Sequence, residues 1–180
     1  MIRRLRGTVV EKTPPYLTVD VSGIGFWVQA PLPTFDHIKE NQEITLYTQC
    51  LFKEDEAFVY GFLNTNELET FQDLISVSGV GPKSALHLMS RFSPEEISQA
   101  IDDENCELLS SVPKIGKKVA SKIVLELKGK LKFAAETSTF SRAVDALCSL
   151  GLTRAEAIER LKKLPKDLSI EALVRQALRK

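Results

Sequence analysis

Along the first third of the chain, apolar residues recur at every second position. Leu17, Val19 and Val21 alternate with other residues, as do Ile24, Phe26 and Val28, and Ser22 with Gly23 supplies a tight turn between the two runs. This pattern predicts a β-hairpin. Arg4 to Glu11 precedes it as a further strand, and Glu43 to Phe52 and Ala57 to Phe62 follow, joined by the charged tip Lys53, Glu54, Asp55 and Glu56. Five short strands predict a small barrel of OB-fold or SH3-like type. Barrels of the first kind often present oligonucleotides or other oligomeric ligands on one face.

From Thr65 the spacing of apolar residues changes to three and four: Leu68, Phe71, Leu74 and Ile75 fall on one helical face, with Asn66 and Glu69 as a capping-box start. Strand signals do not return. Ser93, Pro94, Glu95 and Glu96 predict another helix start, running to Ile101: a hydroxyl at the N-cap, proline at the first helical position, and acids facing the positive helix end. The hydroxyl-rich stretch 134–140 predicts a linker. Beyond it, Val144, Leu147 and Leu150 form an apolar stripe ended by Gly151. Thr153 and Glu156 cap a second helix carrying Ile158 and Leu161, which Pro165 stops, and Ser169 to Lys180 supplies a third through Leu173, Val174 and Leu178. Three helices this short bury apolar surface only against one another, so they predict a mini-bundle.

The helical middle contains an internal repeat. Residues 74–85 align with 109–120 at an offset of 35, so that Val77 meets Val112, Gly81 meets Gly116, Lys83 meets Lys118 and Ala85 meets Ala120. Each copy is an apolar helix end, a glycine-bearing turn and a second helix that begins with lysine, which is the helix-hairpin-helix pattern. The first turn of a helix leaves backbone N–H groups unpaired and carries roughly half a positive charge, so a phosphate oxygen placed there satisfies both. Glycine lets the backbone approach without an intervening Cβ. The residues expected to hold DNA are Gly79, Gly81, Lys83 and Ser84 in the first copy, and Gly116, Lys117, Lys118 and Lys122 in the second. Contacts of this kind read phosphates rather than base edges, so the expected target is a DNA shape. The second copy departs from the pattern at Lys114, where glycine is usual; if that position needs a positive φ, lysine costs roughly 1 kcal/mol and the hairpin is expected to be slightly reshaped.

Charge and composition narrow the alternatives. The formal net charge is zero over 180 residues, yet seven lysines stand between Lys114 and Lys132 against the single acid Glu126. Residues 134–180 carry nine basic against six acidic side chains. No apolar run is long enough for a membrane span and no secretion signal is visible. Cys50, Cys106 and Cys148 are odd in number and widely separated, so they read as buried or half-buried thiols in a reducing cytosol rather than metal ligands or a disulfide. His37 and His87 are isolated and read as structural. No phosphate-loop motif is present, so ATP hydrolysis is not expected of this chain, and no cofactor or metal is expected.

A small barrel, tandem helix-hairpin-helix motifs and a linked three-helix bundle, in this order and at this length, resemble the RuvA family. Gly7, the run Val21 to Phe26, the run Lys53 to Phe62 and both hairpins carry the resemblance. It implies an α+β multidomain fold: an OB-fold barrel over 1–63, the tandem helix-hairpin-helix domain over 64–133, the linker 134–140 and a UBA-like bundle over 141–180. It implies a non-catalytic, cytoplasmic subunit that binds Holliday junctions in recombination, DNA repair and the SOS response. The implied assembly is a homotetramer, or an octamer of two such tetramers. Its implied partners are the hexameric ATPase RuvB, docked on the bundle through Leu150, Gly151 and Leu152, and the resolvase RuvC. Glu54 and Asp55 match an acidic pin at the centre of the DNA-facing surface, where carboxylates repel duplex phosphates. Two rival classes remain. A helix-hairpin-helix glycosylase or nuclease needs a catalytic acid or lysine beyond the hairpins, and no such constellation is visible. A protein-only adaptor leaves the tandem lysine hairpins unexplained.

Overall fold

The computed structural model describes residues 2–53, 56–131, 139–162 and 170–178. Two compact units divide the chain at Leu131. In the first, β1 (Arg4–Thr13), β2 (Tyr16–Val21), β3 (Ile24–Gln29), β4 (Glu43–Lys53) and β5 (Glu56–Phe62) close a barrel in the order β1-β2-β3-β5-β4. All neighbours are antiparallel except β3 and β5, which run parallel through Val28↔Val59 and Gln29↔Tyr60. This closure is the OB arrangement, which decides between the two barrel types open at the level of strand count. Period-two alternation turns Leu5, Val9, Leu17, Val19, Val28, Ile44 and Leu46 inward, where all are buried. Ile24 departs from this alternation: it is 62% exposed, because its pair with Val21 lies at the tip of the β2–β3 hairpin, beyond the barrel wall. The turn there has Ser22 and Gly23 both at positive φ, as a two-residue hairpin requires.

The helices α1 (Thr65–Ser76), α2 (Pro82–Arg91), α3 (Pro94–Asp102), α4 (Cys106–Ser110) and α5 (Lys117–Leu127) join the barrel through α1, which packs on β4 and β5. The ring of Phe71 on α1 lies 5.0 Å from those of both Tyr60 and Phe62 on β5, and all three are buried in one continuous core with Leu74, Leu88, Ile97, Leu109 and Ile123. Burying a ring of this size contributes about 1.5–3 kcal/mol, so the hairpins are held to the barrel by the same apolar contacts that fold them. A 3-10 turn, Leu32–Asp36, adds a polar tie. The Lys12 ammonium donates to the carbonyls of Phe35 and Ile38, and the Leu32 N–H donates to Ser90 Oγ on α2 at 3.0 Å.

The capping box of α1 differs from the expected pair. Asn64, not Asn66, is the N-cap; its side chain accepts from the N–H of Glu67, and the Glu67 carboxylate accepts from Leu63 N–H and Asn64 Nδ2. Two Asn-x-x-Glu pairs overlap here, and the earlier one lets Leu68, Phe71 and Leu74 all face the core.

The second unit contains α6 (Thr139–Ser149), α7 (Arg154–Lys162) and α8 (Ile170–Leu178) around a core of Ala143, Val144, Leu147, Ala157, Leu161, Leu173 and Ala177. Thr139 and Phe140, expected within the linker, are already helical, while 132–138 lie outside the described residues. Leu150 and Leu178, expected on the apolar stripes, are 59% and 43% exposed. Thr153 and Glu156 cap α7 as expected, with Thr153 N–H donating to the carboxylate at 2.9 Å and Glu156 N–H to Thr153 Oγ1 at 3.4 Å. Pro165 and the side chain of Ile158 lie outside the described residues.

Candidate nucleic-acid interface

The two sequence repeats fold into two hairpins with matching turns, although the first helix has 12 residues in one copy and 5 in the other. Leu74 and Leu109 end the first helices fully buried, and Val77 with Val80 in one copy and Val112 with Ile115 in the other anchor the turns in the core. The turn bonds match: Val80 N–H donates to Val77 O at 3.0 Å, and Ile115 N–H to Val112 O at 3.2 Å. Gly79 sits at φ +99° and its counterpart Lys114 at φ +70°, so the position does need the left-handed region and lysine adopts it. The condition set by the sequence is met, and the non-glycine backbone carries the expected steric cost of roughly 1 kcal/mol.

Gly81 and Gly116 are the N-caps of α2 and α5, with φ/ψ of −87°/165° and −81°/167°. These are extended angles open to any residue, and a Cβ built on either glycine meets nothing within 4 Å. Neither the backbone nor the packing of the chain itself calls for glycine there. The two starts also lack a side-chain cap, whereas Asn64, Ser93 and Asn105 each accept a bond from their own helix at α1, α3 and α4. Among the described residues the N–H groups of Lys83, Ser84, Lys117 and Lys118, in the first turns of α2 and α5, have no internal acceptor, while Val119 N–H, also in the first turn of α5, donates to Gly116 O at 2.9 Å. An anion approaching either point meets bare N–H groups at the positive end of a helix, with no Cβ in its path.

The lysines are distributed unequally. Lys83 is exposed on α2, and Lys117, Lys118 and Lys122 are exposed on α5 with Lys114 in the turn before it. Among the described residues none of these five has an acidic partner, while Lys128 is spent on Glu104, whose carboxyl it holds below the ordinary range. Ser84, expected to reach DNA, has its side chain buried at 7% exposure, so only its backbone N–H is presented. His87, one turn beyond Lys83, is exposed and occupies the place that Lys122 holds in the second copy; His37 is exposed as well.

Glu54 and Asp55 lie outside the described residues; the strands on either side of them run to the pair Lys53↔Glu56, both exposed. Leu150, Gly151 and Leu152 form the turn that ends α6, with Gly151 at φ +96° and Leu152 N–H donating to Leu147 O at 3.2 Å. Among the described residues no group of His, Cys, Asp and Glu is arranged to hold a metal ion, no helix is long and apolar enough to cross a membrane, and the three cysteines are free. The cleft between the 3-10 turn and the α2–α3 junction contains Glu67 and Glu96, but both carboxylates are bound to their own helix starts. Burial pushes the Glu67 carboxyl above its ordinary range.

Comparison with known proteins shows the family. Residues 1–61 match the family described as RuvA N terminal domain, 71–130 match the SAM-like helix-hairpin-helix tandem, and 143–180 match RuvA, C-terminal domain. A Chromobacterium violaceum protein named Holliday junction branch migration complex subunit RuvA is 40% identical over 192 residues, covering 99% of this chain and 98% of that one. Proteins of the same name from Coxiella burnetii and Leptothrix cholodnii are each 39% identical, over 99% of this chain and 97% and 98% of theirs. With a barrel, hairpin tandem and bundle in matching order and relatives aligned over nearly the full length, the chain belongs to the RuvA family.

Proposed function

We propose that the chain is the structure-specific, non-catalytic DNA subunit of a branch-migration complex, gripping four-way junctions through Gly79, Gly81, Lys83 and Ser84 of the first hairpin and Gly116, Lys117, Lys118 and Lys122 of the second. The observation that carries this reading is the pair of uncapped glycine helix starts, each beside lysines that have no acidic partner among the described residues. Two such starts held in one rigid core accept two phosphates at a set separation. They bind any base sequence but favour a backbone path that meets both at once. The names of the relatives supply the class of target.

The remainder of the assembly follows the same reading. The chain forms a homotetramer, alone or paired into an octamer, in the bacterial cytoplasm. Glu54 and Asp55 act as the acidic pin at its centre, disfavouring a continuous duplex by like-charge repulsion. The bundle docks the ATPase RuvB through Leu150, Gly151 and Leu152, two of which present an exposed or half-exposed leucine. RuvC engages the same junction.

The direct test is a mobility shift with a synthetic four-way junction against linear duplex of equal length. The junction is expected to be retained at lower protein concentration. Equal retention of the two would contradict junction binding. Deleting residues 141–180 is expected to leave that retention intact and to abolish RuvB-driven branch migration; continued migration would refute the docking role.

A further inference from the structure

The two hairpins share one turn pattern but not one surface. At the four positions that surround the open helix start, the first copy presents Gly79, Pro82, Lys83 and His87, and the second presents Lys114, Lys117, Lys118 and Lys122. Lys114 stands out among these because its backbone works against it. It holds φ +70° where Gly79 holds φ +99°, a region that L side chains rarely adopt and that glycine adopts freely. Its side chain is exposed and, among the described residues, makes no hydrogen bond or ion pair that would offset the strain. Two residues later comes Gly116, whose uncapped helix start carries the exposed Lys117 and Lys118. A strained residue that contributes nothing inside the molecule, placed beside a site for anions, has its use outside the molecule.

We infer that Lys114 is an additional DNA-backbone contact of the second hairpin, and that it makes this hairpin the stronger of the two anchors. The inference rests on the reading of both hairpins as the DNA interface and extends it to a residue outside the glycine pattern. The ammonium adds a cation in the turn before the helix start, where Lys117, Lys118 and Lys122 follow it on the helix. Each phosphate neutralised in this way releases condensed counterions and steepens the salt dependence of binding.

The experiment compares the intact protein with Lys114→Gly, Lys114→Gln and Lys114→Arg on a four-way junction across a range of salt, with melting temperature measured alongside. Gly116→Ser serves as the control for the interface itself. Lys114→Gly removes both strain and charge, whereas Lys114→Gln removes the charge and keeps the strain. Both are expected to bind roughly 3- to 10-fold more weakly near 100 mM salt, with the log–log salt slope shallower by about one unit for each chain engaged, while Lys114→Arg binds as the parent does. Lys114→Gly is expected to melt no lower than the parent. Parental affinity and slope in Lys114→Gly, or in Lys114→Gln alone, would overturn the inference if Gly116→Ser still weakens binding. If Gly116→Ser also leaves binding unchanged, the hairpins are not the interface and the underlying reading falls with it.

Discussion

Five helices of the first unit begin in two different ways. α1, α3 and α4 start on Asn64, Ser93 and Asn105, and each side chain turns back to accept an N–H from its own first turn. α2 and α5 start on Gly81 and Gly116, which have no side chain to accept theirs; among the described residues the Val119 N–H of the α5 first turn alone finds an acceptor, Gly116 O at 2.9 Å. The folding problem is the same in both sets, since every helix leaves orphan donors at its start. The chain solves it locally three times and leaves it open twice, at the two places where the repeat sets a glycine-bearing turn and where unpaired lysines gather. What stabilises the fold is thus separated, residue by residue, from what the proposed function assigns to a ligand.

The largest effect expected from this separation comes from the charges at the open starts. Lys83→Ala, Lys117→Ala and Lys118→Ala combined are expected to weaken junction binding roughly 100-fold at moderate salt and to make the salt slope shallower by about three units per chain, read from binding titrations at several salt concentrations. The melting temperature should not change, because the three side chains are exposed and have no acidic partner among the described residues. An unchanged slope would break the comparison.

The opposite treatment of a capped start should give the opposite result. Ser93→Ala removes the α3 capping box, in which Ser93 and Glu96 each accept the other's N–H, and is expected to cost about 1 kcal/mol in denaturant unfolding while leaving junction affinity within twofold. A variant that loses binding without losing stability would place α3 in the interface.

The smallest effect is expected in the bundle. The Thr153 hydroxyl and N–H hold the Glu156 carboxyl below its ordinary value of 4.5. A lowered folded value means that the cap contributes above the ordinary value and is lost as pH falls through the lowered one. Amide protection in the first turn of α7, taken relative to the intrinsic exchange rate at each pH, is therefore expected to fall below about pH 4.5 in the parent and to stay level in Glu156→Gln.

Much of this comparison is legible in the sequence. Period-two alternation places the strands, the offset of 35 places both hairpins, and the Ser93–Glu96 box places α3, because each rests on contacts between near neighbours in the chain. The α1 cap is not legible, since Asn64 and Asn66 both precede a glutamate by three and only packing of Leu68, Phe71 and Leu74 selects the first. Nor is the burial of Ser84, which depends on how α2 is rotated against the shared core, or the union of Phe71 with Tyr60 and Phe62, which joins elements whose pairing is purely tertiary. Leu150 continues the α6 stripe in sequence, yet the helix ends at Ser149 and the side chain is exposed. The expected acidic pin, Glu54 and Asp55, and most of the expected linker lie outside the described residues.

On the proposed function, Gly81 and Gly116 are glycines for the sake of a ligand and not of the fold. Replacing both with serine tests it in one protein. Serine suits the extended angles at both positions, its Cβ enters open space, and its hydroxyl can cap the helix as Ser93 does, so unfolding free energy is expected to stay within about 0.5 kcal/mol of the parent or to rise. The same hydroxyl and Cβ occupy the place of the phosphate. Junction affinity of the double variant, measured by titration of a labelled four-way junction, is expected to fall by about two orders of magnitude, as hydrogen bonds to a charged oxygen are lost at both hairpins. A stable double variant that binds the junction with parental affinity would contradict the account.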